Sequence, residues 1–419
     1  MGRPPQPATL GPSAAGPHRP PPQRLLPALL ALLLTGSTLT ACSRRGAAPD
    51  EGAPAPAAGR ASSREGEPPR EWRLGQSAPL TGPSAQLGRE YREGALAWFE
   101  AVNRRGGIHG RPVRLISLDD RYEPALTQRN TARLIDGERV FALFGYVGTP
   151  TTLAALPLVD RHRTPLIAPL SGAAVLREPQ RPWLVHLRSS YQQETDRLVN
   201  ALVRSGRQRV AVLHQADAFG DDGLRAARRA LGRHGLRPVA TASVPRNSSQ
   251  AGAAARRLLA AQPSAVLMVT AYPGAAGFRR ELQRLGAQVQ LMSLSFVGTR
   301  ALQEALPGGG ANGIGISQVV PFPWDRRLPV VADYQRLMAR RQHRPRYGFT
   351  SLEGFLAARL VSEGLERAGP GAGPEDLLRA LRELRALDLG GFRIRLGPGD
   401  SQASDFVDLT YLGAQGWEP

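Results

Sequence analysis

The chain has no lysine and only one cysteine, Cys42. A lone cysteine excludes an internal disulfide, so stability must come from buried apolar cores. At 419 residues the chain is long enough for two of them. Its seven histidines fall in no H-E-x-x-H or other metal-ligand spacing. No G-x-S-x-G elbow is present, so the commonest serine-hydrolase signature is missing. Asp119-Asp120 and Asp221-Asp222 are adjacent acids at a strand end and a helix start, where capping is the ordinary role. Gly308 to Gly313 fits the letter of G-x-G-x-x-G, but it follows a helix and opens none. It therefore reads as a loop rather than a phosphate cradle. No catalytic residue, cofactor or metal is expected, and the chain does not read as an enzyme.

Without lysine, every one of the 54 basic side chains other than histidine is arginine, against 35 acids. The net charge is +19, of which the first 41 residues carry +3, leaving +16. The arginines are scattered, which reads as a solvated surface with at most a weak attraction to anionic headgroups. Three arginines (Arg3, Arg19, Arg24) and no acids precede the apolar run Leu25–Leu34. A basic start, a short apolar stretch and small residues ahead of a cut site make a secretory leader. The run is short for a membrane span. Leu39-Thr40-Ala41-Cys42 resembles a bacterial lipobox. That resemblance implies cleavage before Cys42, lipidation of its sulfur and anchoring at the periplasmic side of the envelope. Two or more acyl chains hold firmly, since each buried methylene contributes about 0.8 kcal/mol. Export also removes nucleic acid as a partner.

Residues 42–70 are rich in Pro, Ala, Gly and charge and nearly devoid of large apolar side chains. They read as a flexible tether. From Trp72 onward, short apolar runs alternate with amphipathic stretches, the pattern of α/β folds with parallel sheets. The first series of expected strands includes 73–78, 113–118, 140–144, 165–168 and 183–187. Helices are expected over 90–103, 124–136 and 151–160. A second series places strands at 209–213, 239–244, 265–270 and 290–294. Helices are expected there over 223–234, 248–261 and 275–285. Beyond Pro321 helices are expected over 330–341, 351–368 and 374–386, then strands near 392–396 and 406–412. Two series and a return segment predict two α/β lobes with a hinge between them. Lobe I is expected over 71–188 and 322–388, and lobe II over 189–321 and 389–419. Ligands in such folds sit beyond the carboxyl ends of strands and between domains.

Several segments, in order, resemble the leucine/isoleucine/valine-binding protein family, the solute-binding proteins of ABC importers with a type I periplasmic-binding fold. They include Gly75-Gln76-Ser77-Ala78-Pro79-Leu80-Thr81-Gly82, Gly94-Ala95, Asn103-Arg104-Arg105-Gly106-Gly107 and Asp119-Asp120. The likeness continues through Phe144-Gly145-Tyr146, Thr149-Pro150-Thr151-Thr152, Pro165-Leu166-Ile167-Ala168-Pro169, Phe219-Gly220-Asp221-Asp222-Gly223 and Ser351-Leu352-Glu353-Gly354. It covers nearly all of 72–419. It implies a monomeric binder of an amino acid or related small carboxylate, working with an ABC permease. A sensor that passes its ligand signal to a receptor is the alternative use of the same clamshell.

The resemblance also implies site residues. Thr149, Thr151 and Thr152 lie at a helix start, where free N–H groups and hydroxyls suit a carboxylate. Leu170, Ser171 and Gly172 fall where the family contacts the ligand, with Gly172 in place of a threonine. Phe219 stands where a tyrosine is frequent, and Tyr272 is a second wall candidate. Ser295 aligns with the acid that holds the ligand's ammonium, a charge that serine cannot supply. Asp217, Asp221 and Glu194 are the candidate replacements. Leu87 stands where an aromatic is common, and Tyr122 and Gly148 replace a cysteine pair of some relatives.

Overall fold

The computed structural model describes residues 71–413 and 416–418. The leader, Cys42 and the tether lie outside them. The first series runs β1 (Trp72–Ala78), α1 (Ala85–Arg104), β2 (Val113–Asp119), α2 (Pro124–Ala132), β3 (Ala142–Phe144), α3 (Thr149–His162), β4 (Leu166–Ile167) and β5 (Leu184–Val185). Its strands form a parallel sheet in the order β2-β1-β3-β4-β5.

The second series runs α4 (Tyr191–Arg204), β6 (Val210–Gln215), α5 (Ala218–Gly232), β7 (Thr241–Val244), α6 (Gly252–Leu259), β8 (Ala265–Val269), α7 (Tyr272–Arg284), β9 (Gln290–Ser293), α8 (Thr299–Ala305) and β10 (Gly315–Gln318). The return segment supplies α9 (Pro329–Arg341), α10 (Phe349–Ala368), α11 (Pro374–Arg382), β11 (Leu387–Asp388), β12 (Arg393–Ile394), β13 (Asp408–Gly413) and β14 (Gly416–Glu418). The second sheet has the order β14-β13-β10-β9-β8-β6-β7, with β6 to β10 parallel and the last two strands antiparallel. Among the described residues no helix is long and apolar enough to cross a membrane.

The strands explain their own placement. Every residue of β8, Ala-Val-Leu-Met-Val, is buried. A strand covered by helices on both faces requires such an unbroken apolar run. The chain passes from the first sheet to the second after β5, returns after β10, and crosses again between β12 and β13.

Three helices depart most from the sequence expectation, one of them α5, which starts at Ala218 rather than 223. Helix α1 starts at Ala85 rather than Glu90, because Leu87 is buried at the cleft and Gly88 lets the turn pass close to the Pro79 carbonyl. Helix α4 was not anticipated. Its signal is the capping box of Ser190 and Gln193, in which the serine hydroxyl accepts from the Gln193 amide and the glutamine side chain accepts from the Ser190 amide.

Helix α1 lies against α10 through glycines. A Cβ on Gly94 would stand 1.7 Å from the Ser351 carbonyl oxygen, and one on Gly354 would stand 2.0 Å from that of Tyr91. The two backbones touch where other helix pairs interpose side chains, so Gly94→Ala must push α10 away. The expected cost is about 3 kcal/mol or more, read as a lower urea midpoint with an unchanged slope.

Candidate functional site

The floor of the cleft is built where β3 turns into α3. Gly148, at φ +98°, makes that turn, and a Cβ there would lie 2.2 Å from the Tyr122 ring. The amide of Gly148 donates to the Leu170 carbonyl at 3.1 Å, and that of Leu170 donates to the Tyr146 carbonyl at 2.7 Å. This pairing sets Ser171 beside Thr149, with their hydroxyls 2.8 Å apart and both side chains buried. Thr151 and Thr152 are turned the other way. The Thr151 hydroxyl donates to the Val147 and Gly148 carbonyls, and the Thr152 hydroxyl donates to the Gly148 carbonyl at 2.6 Å. Gly172 has no room for a side chain, since a Cβ would come within 2.6 Å of the Tyr191 ring.

The opposite wall is aromatic. Phe219 is buried between Tyr191 and Phe296, with ring centroids 5.1 and 4.7 Å away, and Phe296 reaches Tyr122 at 6.0 Å. Tyr272 begins α7 and packs half-buried against both apolar cores. Leu87, Leu170, Ser295, Phe296, Gln318 and Glu353 border a cavity of about 10 Å³. That is room for roughly one water-sized group. The structure thus brings Leu170 and Ser295 to one cavity and joins Thr149 to Ser171.

Contacts between the lobes close this cleft. Glu90 of α1, buried, pairs with Arg300 of α8 at 2.9 Å. Burial pushes the Glu90 carboxyl up, and Arg300 opposes that shift. Glu123 pairs with Arg246 at 2.7 Å and accepts from Asn247 at 2.8 Å. Gln215 Nε2 donates to the Tyr122 hydroxyl at 3.2 Å.

Behind Ser295 lies a group that the sequence reading missed. Arg188, only 1% exposed, follows β5 and enters the interior. Its Nη2 donates to Glu194 Oε1 at 3.2 Å and to the Ser295 hydroxyl. Its Nε stands 3.7 Å from Glu353 Oε1, while Nε and Nη1 have no hydrogen-bond partner. The other Glu194 oxygen accepts from the Ser295 amide at 2.8 Å and the Ser317 hydroxyl at 2.6 Å. Both Glu194 oxygens are therefore engaged. Asp217 is engaged as well: it caps α5 through the Phe219 amide and accepts from Gln215 and Arg246. Asp221 is exposed. Burial pushes the Glu353 carboxyl up to about 7, opposed by Arg188 and helped by Glu194. Among the described residues no cluster of His, Cys, Asp and Glu is arranged to hold a metal.

The comparisons agree with this architecture. Residues 71–415 match the family model described as periplasmic binding protein. The chain belongs to that family. It is 26% identical over 343 residues to an amino acid binding protein of Pseudomonas aeruginosa, a match covering 80% of this chain and 88% of the relative. A possible leucine/isoleucine/valine-binding protein from Rhodopirellula baltica superposes with a TM-score of 0.80 at 34% identity, covering 84% of this chain and 97% of that one. A substrate-binding periplasmic protein from Ralstonia solanacearum gives 0.78 at 32%, covering 83% and 99%. The fold is the two-lobed type I periplasmic-binding fold expected from the sequence.

Two outcomes follow from the buried charges. Arg188→Met leaves Glu194 without its cation, and is expected to cost about 3–5 kcal/mol in urea unfolding. Adding Glu194→Gln should recover much of that loss. The second outcome concerns pH. The Glu353 carboxyl binds its proton more tightly folded (about 7) than at its ordinary value of 4.5, with Arg188, Glu194 and Tyr91 as the groups facing it. Between those two pH values the folded state holds the proton and the unfolded state does not, so stability falls as pH rises. Wild type should therefore lose stability relative to Glu353→Gln across that window, as followed by melting temperature.

Proposed function

We propose that this protein is a lipid-anchored, solute-binding component of an ABC importer on the periplasmic side of the envelope. It takes an amino acid or related small carboxylate between its lobes and presents the closed form to a permease. The observation that carries the ligand class is the Thr149–Ser171 hydroxyl pair, buried at the N-terminus of α3. A helix N-terminus has partial positive charge, and two neighbouring hydroxyls can turn their protons toward an anion. The family membership and the amino-acid-binding relative support the same reading. With about 10 Å³ in the cavity, ligand entry requires the lobes to part. The motion would fall in the crossings near 188–190, 319–328 and 395–407, breaking Glu90–Arg300 and Glu123–Arg246. Residues 1–41 would be the leader and 42–70 the tether that lets the clamshell reach its permease.

Thermal-shift screening of aliphatic amino acids should find a ligand that raises the melting temperature, since ligands that bind only the folded state stabilise it. Thr149→Val should then weaken binding by about 1.5–3 kcal/mol in calorimetry, with Thr149→Ser close to wild type. A Thr149→Val protein that binds as tightly as its parent places the anion elsewhere. Anchoring is tested separately. Cys42→Ala should lose lipid labelling and leave the membrane fraction, and retention with normal cleavage contradicts the lipobox reading.

A further inference from the structure

We propose that Glu353 is the cation partner of the cleft, the carboxylate that receives the ammonium of an amino-acid ligand where Ser295 cannot. This inference rests on the amino-acid reading above. Three observations converge on it. Glu353 is the one acid among the residues bordering the interlobe cavity, which is the size of a single water or ammonium group. Its carboxylate is 4% exposed as a residue, and no hydrogen bond reaches it from the described residues. Arg188 Nε, at 3.7 Å, is beyond hydrogen-bond length. The other buried acid of the cluster, Glu194, has both oxygens occupied by Arg188, Ser295 and Ser317.

The donors around each charge point the same way. Arg188 is shared between two carboxylates, Glu194 and Glu353, and a second guanidinium, Arg177, donates to the Arg188 carbonyl at 3.1 Å. Arg188 gives a hydrogen bond to Glu194 and none to Glu353, and Arg177 is spent on the carbonyls of Ser171, Ala173 and Arg188, so an ionised Glu353 sits in a buried place without a direct donor. Burial resists that charge and keeps the carboxyl partly protonated near neutral pH. An ammonium arriving beside it gives the carboxylate a direct donor and displaces the remaining proton to solvent. Leu87, Leu170 and Phe296 give the same cavity apolar walls, and a low-dielectric setting strengthens the ion pair that forms. The assignment also accounts for Ser295. Its amide donates to Glu194 and its hydroxyl accepts from Arg188, so it braces the cluster and its hydroxyl is already taken by that guanidinium.

The test uses the full-length protein, pairs of probes differing only in the ammonium (L-leucine with 4-methylpentanoate, L-alanine with propionate), and titration calorimetry. Wild type should prefer the amino acid within the pair it binds. Glu353→Gln should lose about tenfold or more for the amino acid and change little for the des-amino acid. Glu353→Asp should retain part of the preference. Amino-acid binding at about neutral pH should release protons in wild type and none in Glu353→Gln, as read from buffers of different ionisation enthalpy. A folded Glu353→Gln protein that binds the amino acid like wild type, or loses both probes equally, overturns the assignment. Wild type that binds the des-amino acid as well as the amino acid also overturns it, while leaving a carboxylate binder. Wild type that binds no probe overturns the amino-acid reading and this assignment with it.

Discussion

A guanidinium buried between two lobes is the constraint around which this molecule is arranged. Arg188 stands where the chain first leaves the first sheet, and it touches three other parts of the fold: α4 through Glu194, the turn at Ser295, and α10 through Glu353. A charge removed from water is tolerated only when its partners are fixed around it. Glu194 is fixed by the Ser295 amide and the Ser317 hydroxyl, so β10 and the end of β9 are drawn into the same network. The cluster therefore ties the first crossing to the second sheet and to the return helix. Of the outer pairs, Glu123–Arg246 is partly exposed, whereas Glu90–Arg300 is nearly as buried as the cluster itself.

Around this anchor the cleft is shaped by close approach. Gly148 admits the Tyr122 ring, and Gly172 admits Tyr191. The absence of a side chain at Gly172 is thus a packing requirement, met by the buried Tyr191 ring that occupies its space. The rings of Tyr191, Phe219, Phe296 and Tyr122 then run in contact from one lobe to the other.

Much of the fold was legible because its signals are local. Continuous apolar runs marked the buried parallel strands, as in β8, and glycine pairs marked helix ends. Helix α4 was readable from its capping box and from Tyr191, Leu198, Val199 and Leu202 at helical spacing, a signal the polar run Gln192 to Asp196 interrupts near its start. The start of α1 was missed because Gly88 reads as a loop residue until the neighbouring Pro79 backbone is in view. Within the site, the hydroxyl residues at 149–152 could be named, but their directions could not. Only the α3 geometry turns Thr149 toward Ser171 and folds Thr151 and Thr152 back onto their own carbonyls.

The sequence by itself determined the α/β class, the two series of strands and the family, since each is written in periodicity or in the order of its motifs. The tertiary structure decided which acids are spent and which is left. Glu194, Asp217 and Glu353 look alike as letters in a chain, and differ only in how many donors surround each carboxylate. That count is set by residues distant in sequence meeting at the crossings between lobes, and no local pattern carries it.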